Sequence, residues 1–157
     1  SDVAKLQTLL QSLEHPNIIR SYEYYQLEEK LLVVEPYYEG AMLAVWLTSA
    51  DELPADPVTL LSGIAAGLHY LHTTKRHIHG GLSTETVYAT KDGAAIGGIS
   101  TQNIVQVKPS VYTAPELNDG RYGYFTDVWA LGMVFLEVAT KKKIDSDQLK
   151  GLNSAEL

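Results

Sequence analysis

The 157-residue sequence contains no cysteine. That absence excludes disulfides, thiolate metal sites and cysteine nucleophiles together, and it fits a reducing compartment. Basic residues are scarce too: 12 Lys and Arg stand against 19 Asp and Glu, for a net charge of −7. An acidic surface repels phosphate backbones and anionic lipid, which argues against a nucleic-acid or membrane-surface partner. The one basic run, Lys141, Lys142 and Lys143, follows an apolar helical stretch. It reads as a solvated helix end whose cations complement the macrodipole. Long hydrophobic runs are missing, since the longest strongly apolar stretch, residues 128–136, is too short to cross a bilayer. No signal-peptide pattern opens the chain, so a cytoplasmic location is expected. The first residue is Ser rather than Met, as expected of an excised fragment.

What is present suffices for one domain with a core: 45% of the residues are hydrophobic and 20% charged, which argues against disorder. Asp2 is placed to cap a helix carrying Val3, Leu6, Leu10 and Leu13 at helical spacing. Pro16 stops it, because proline cannot continue the hydrogen-bond ladder. Two extended runs, 18–25 and 31–35, are joined by a polar connection at 26–30, and 36–40 reads as a linker. A second helix is expected over 58–72, with Leu61, Ile64, Ala65, Leu68 and Leu71 on one face. Short strands at 86–90 and 94–97 flank a turn in which Gly93 supplies a positive φ. An aperiodic loop runs over 99–112. From Thr126 or Asp127 onward a helix apolar nearly all round is expected to be buried and central.

Four histidines raise the possibility of a metal site. His69 and His72 fall about one helical turn apart, and His77 and His79 share one face of an extended segment. No carboxylate or cysteine completes a ligand set, which weighs against a metal hydrolase.

Seven phrases in order resemble the eukaryotic protein kinase domain. They are LLQSLEHPNII (9–19), LLVVEPYYEGAML (31–43), GIAAGLHYLH (63–72), HIHGGLSTETV (77–87), AIGGIS (95–100), YTAPEL (112–117) and FTDVWALGMVFLEVAT (125–140). In the family these are the HPN turn, the hinge, the helix before the catalytic loop, the catalytic loop itself, the DFG strand, the APE motif and the central helix of the large lobe. The HPN turn, hinge and central-helix phrases resemble the NEK-like branch of Ser/Thr kinases. The resemblance implies an α+β, truncated kinase-like fold: residues 1–37 as a remnant of the small lobe and hinge, and 38–157 as a partial large lobe.

The resemblance also implies where the chemistry would sit. Phosphoryl transfer needs a phosphate cradle, cations on the phosphates, and a carboxylate that orients the attacking hydroxyl. Gly81 stands at the catalytic Asp of the HRD motif, Thr86 at the metal-binding Asn, Gly98 at the DFG Asp and Leu6 at the glutamate of the small-lobe helix. The Gly-rich loop and its lysine would precede residue 1. General-base help is worth about 10²–10⁴-fold, and glycine has no group to give it. Neither Glu85 nor Asp92 looks like a substitute. The expectation is therefore a pseudokinase rather than an enzyme: a protein-interaction or regulatory scaffold in a longer polypeptide, beside domains such as ankyrin repeats. No cofactor is expected beyond weak, metal-independent adenine binding at the vestigial hinge, Val34, Glu35 and Tyr37.

The kept positions are architectural. His79, Ile99 and Leu10 match the family's hydrophobic spine, with the fourth member at Ser21 or Tyr22. Asp127 matches the aspartate that accepts hydrogen bonds from the catalytic-loop backbone. Two departures stand out. The loop between Gly98 and Glu116 is short, with Pro109 in place of the usual phosphorylated Thr. The chain also ends soon after the central helix, so Glu116 is expected to lack its arginine partner and part of that helix to lie uncovered.

Overall fold

The computed structural model describes residues 2–27, 30–37, 41–49, 52–99 and 110–145. Helix α1 (Asp2–Gln11) begins at Asp2, which belongs to the helix instead of preceding it. It turns Leu6 and Leu10 into the core, and Leu13 follows them just past its end. The antiparallel hairpin β1 (Glu23–Leu27) and β2 (Lys30–Val34) comes next. Its ladder pairs Gln26 with Leu31 and Leu27 with Lys30, so the strands run through most of the polar stretch expected as a connection. Residues 18–22 lie outside β1. Ile18 makes a single parallel bridge to Ile96, because this backbone is drawn to a second sheet instead.

That sheet joins β3 (Ala41–Met42), β4 (Val87–Thr90) and β5 (Gly93–Ile96) in the order β3-β4-β5, all antiparallel. Gly93, with φ of 132°, makes the turn between β4 and β5. Strand β3 and the short helix α2 (Leu43–Thr48) were not among the expected elements. Six residues are too few to display a helical period, yet Leu43 and Leu47, one turn apart, are both buried.

Helix α3 (Pro57–Thr73) starts where Asp56 accepts a hydrogen bond from Thr59 N–H, with Pro57 pre-set for the first turn. Its buried face consists of Leu60, Gly63, Ile64, Gly67, Leu68 and Leu71. Ala65, expected on that face, is exposed and Leu61 only half-buried, because the glycines turn the helix toward β5. A Cβ at Gly63 would lie 2.9 Å from the Ala94 carbonyl, and one at Gly67 2.8 Å from the Asn17 carbonyl. Asn17 is central to this contact. Its side-chain amide donates to Ala94 O at 2.8 Å, and its own carbonyl accepts from Ile96 N–H at 2.9 Å. The HPN turn therefore ties the end of α1 to β5 directly under α3.

A 3₁₀ turn (Pro115–Asp119) leads to α4 (Tyr124–Thr140), which starts two residues earlier than expected. The helix packs on α3 through Ala130, Val134 and Val138, which join the main core. Its opposite side is not buried: Phe125, Val128, Phe135 and Leu136 are all exposed, Val128 by 60%. The helix whose apolar pattern reads as buried is thus covered on one side and open on the other, where part of its surface was expected to lie uncovered; among the described residues α3 is the one helix packed extensively against it.

The close approach of α3 to β5 yields a test. Gly67→Ala should gain about 1 kcal/mol of helix propensity but lose about 1–3 kcal/mol to the clash with the fixed Asn17 carbonyl. Thermal unfolding should therefore show net destabilisation; a raised midpoint would mean that the helix stands further from the sheet than described.

Candidate functional site

The site is organised by one carboxylate in the first turn of α4. In this turn the Thr126 hydroxyl donates to Gly123 O at 2.6 Å, and the next residue, Asp127, is 2% exposed. Taking a carboxylate out of water is costly unless every lone pair finds a donor. Asp127 Oδ2 accepts from His79 N–H at 2.7 Å and from His72 Nε2–H at 2.8 Å. Its Oδ1 accepts from Gly80 N–H at 2.9 Å. Two consecutive backbone amides and one imidazole thus converge on it, and α4, α3 and the loop at 79–86 become one unit. Tyr124 stacks on His72 with ring centroids 4.5 Å apart, fixing the imidazole from the other side.

His79 is fully buried. Its Nε2–H donates to Gly97 O at 2.8 Å, while Nδ1 accepts from Gly81 N–H at 3.3 Å. Both ring nitrogens are therefore used by a neutral imidazole, and burial holds its pKa below the ordinary value despite the pull of Asp127. Gly80, with φ of 73°, lets the chain leave His79 at a sharp angle. Further along, Thr86 Oγ1 closes the loop on itself, accepting from Ser83 N–H at 3.0 Å with the carbonyls of Ser83 and Gly81 at 3.1 and 3.3 Å. The Thr86 carbonyl accepts from Gly97 N–H at 2.8 Å.

The structure brings Gly81, Thr86 and Gly98 together: Thr86 touches the loop at 81 with its hydroxyl and lies against Gly98 with its methyl. No carboxylate is among the three. Glu85 is exposed and 3.9 Å from Lys143, and Asp92 sits in the β4–β5 turn. Leu6, Leu10 and Ile99 all belong to the core cluster. Ser21 is buried whereas Tyr22 is 63% exposed, so Ser21 faces inward of the two. At the hinge positions Val34 is 41% and Tyr37 92% exposed, and Glu35 is exposed as well. Glu116 is half-buried in the 3₁₀ turn, where its carbonyl accepts from Arg121 N–H. Pro109 lies outside the described residues. The histidines are spread over separate hydrogen bonds, and among the described residues no cluster of His, Asp or Glu could hold a metal ion.

A second polar cluster is absent from the sequence reading. Glu137, fully buried on α4, accepts from Tyr112 O–H at 2.5 Å, from Thr84 O–H at 3.1 Å and from Ile144 N–H at 2.9 Å. Burial, then the bond to Glu137, raises the Tyr112 pKa well above the usual phenol value. Lys143 Nζ donates to Thr84 Oγ1 at 2.7 Å, so this lysine is part of the cluster and more than a solvated helix end. The available signal was a single carboxylate inside the apolar phrase FLEVA. Between the two clusters lies a cavity of about 320 Å³, lined by Gly81, Ser83, Glu85, Tyr112, Thr113 and Asp127 among others.

The family model described as "Protein kinase domain" matches residues 3–155. The chain belongs to the protein kinase domain family. It is 30% identical over 149 residues to serine/threonine-protein kinase Nek8 of Danio rerio, covering 86% of this chain and 21% of that protein. It is 27% identical over 143 residues to serine/threonine-protein kinase 36 of Pongo abelii, covering 83% of this chain and 11% of that protein. With human serine/threonine-protein kinase Nek10 it shares 28% over 153 residues, covering 88% of this chain and 13% of that protein. The chain thus spans a small part of the length of these relatives. NEK kinases are among its relatives, as the resemblance implies.

One expectation is corrected by these matches. Missing carboxylates at 81 and 98 lead to a reading of the chain as no enzyme, whereas the family and its Ser/Thr kinase relatives point to an enzyme. Three positions describe one local site; similarity along residues 3–155 speaks for the domain as a whole. The family also implies a nucleotide with magnesium, and here the residues do not fit the metal. Gly98 offers no oxygen from a side chain, and the Thr86 hydroxyl is turned into its own loop. Magnesium seeks near-octahedral oxygen ligands, usually one or two of them carboxylates.

The burial of His79 predicts a pH dependence. Its folded pKa lies below the unfolded value of about 6.5, so its contribution is fully present above that pH. It is lost as pH falls from there through the folded pKa, since the unfolded chain takes up the proton first. NMR titration should find His79 neutral, with the proton on Nε2, at pH 6.5. A normal titration near that pH would contradict the buried, doubly bonded ring.

Proposed function

We propose that this protein kinase domain works as a protein-interaction and regulatory module within a longer polypeptide. The observation that supports this reading is the contrast inside one loop. The backbone frame is retained through Asp127, while Gly81, Thr86 and Gly98 carry no base and no carboxylate ligand for a cation. On this reading residues 1–37 serve as small lobe and hinge and 38–157 as the large lobe. Protein partners, other domains of the same polypeptide among them, bind the surface of this frame. Nucleotide binds weakly at the exposed hinge and without magnesium. Any phosphoryl transfer draws its base and its cation from groups outside positions 81, 86 and 98.

A second reading, favoured by the Ser/Thr kinase relatives, is a NEK-like nucleotide-binding kinase domain with a rearranged ligand set. Thermal unfolding with ATP alone and with ATP plus magnesium separates the two, because a ligand that binds only the folded state raises the midpoint. The module reading expects no magnesium-dependent rise. A rise that requires magnesium, together with phosphate transfer to a protein substrate, would establish the second reading in its place.

A further inference from the structure

Thr86 and Gly98 stand where the family places two metal ligands, and in this fold they lie against each other. Gly98 has φ of 66°, in the left-handed region that favours glycine. A Cβ on Gly98 would lie 2.8 Å from Thr86 Cγ2 and 3.3 Å from Thr86 Cβ. The first separation is closer than carbon atoms approach in folded proteins, so one of the two residues would have to move.

Thr86 is held against such a movement. Its χ1 is stiff because the side chain branches at Cβ. The hydroxyl on the same carbon is engaged by Ser83 N–H and by the Ser83 and Gly81 carbonyls, so rotating the methyl away would break the closure of the loop. The backbone is no freer, since the Thr86 carbonyl accepts from Gly97 N–H, one residue before the glycine. On the other side, Gly97 O accepts from the buried His79 ring, which is itself fixed through Asp127.

We infer that Thr86 and Gly98 are an interlocked pair that closes the family's magnesium position from within the fold. The threonine methyl fills the space that any side chain at 98 needs, so the position reopens only when both residues change. The glycine at 98 is then more than a lost carboxylate. It is the complement of a threonine that closes the loop.

A double-mutant cycle tests this, with thermal midpoints as the readout. Thr86→Ser keeps the hydroxyl and removes only the methyl, and should leave the midpoint close to that of the unmodified chain. Gly98→Ala should lower the midpoint by roughly 3–10 °C, as overpacking does in a domain of this size. The same change in the Thr86→Ser background should cost clearly less. Additive effects, or Gly98→Ala at no cost, would overturn the interlock. Should Gly98→Ala fail to fold alone, recovery of folding by Thr86→Ser decides for the inference and failure to recover decides against it. The closure is read separately with Mn²⁺ as probe. By electron paramagnetic resonance with ATP present, folded Gly98→Asp should bind no more manganese than the unmodified chain, and a gain from that single change would overturn the closure.

Discussion

A buried carboxylate that receives two successive backbone amides and an imidazole does something that apolar packing cannot: it fixes direction. Asp127 sets the orientation of the loop at His79 and Gly80, and through His72 it holds that loop to α3. Each bond goes to a carboxylate oxygen, and the one at His79 is buried while those at Gly80 and His72 are part-buried. Loss of the carboxylate would leave the His79 amide buried without a partner, at about 1–3 kcal/mol, and the Gly80 amide without one as well. The rest of the site follows from this constraint. With the loop fixed, the His79 ring reaches Gly97 O, the chain at 97 meets Thr86, and Gly98 comes to lie under the threonine methyl. Glu137 repeats the principle one face along, joining Tyr112, Thr84 and the segment after α4.

The frame and the chemistry therefore lie on separate sets of residues. Asp127, His79, Asn17 and the glycines of α3 keep the domain's geometry, and apart from the bond of Asp127 to His72 they do so against backbone atoms. On the proposed reading, positions 81, 86 and 98 depart from the family's chemistry within that geometry, and glycine and threonine fit the space that the frame leaves. Membership of the kinase family rests on the similarity along residues 3–155. The proposed regulatory role rests on the three changed positions.

Much of this was legible in the sequence wherever a residue type has one physical use. Gly93 marks a turn and the phrase around Asp127 the helix that carries the site, whereas the helix expected to run on to Pro16 already ends at Gln11. Reading failed where the cause is tertiary. Helix α2 is too short for a period to appear, and the chain at Ile18 and Ile19 is diverted by pairing with β5 that no local pattern encodes. The buried face of α3 was displaced because Gly63 and Gly67, which look like weak helix formers, are the points of closest approach. Glu137 escaped notice because a lone carboxylate in an apolar helix declares its partners only in three dimensions. The residue types at 81, 86 and 98 are plain in the sequence, while the contact between Thr86 and Gly98 is not.

Amide hydrogen exchange at His79 and Gly80 tests the central claim most directly. These N–H groups sit in a loop, outside any helix or strand, and their protection would come from one carboxylate. If Asp127 holds the frame, both should exchange about as slowly as the core of α3 and α4, and Asp127→Ala, which removes both oxygens, should make both fast. Exchange at the rate of an open loop in the unmodified chain, or protection that survives the loss of the carboxylate, would contradict the account.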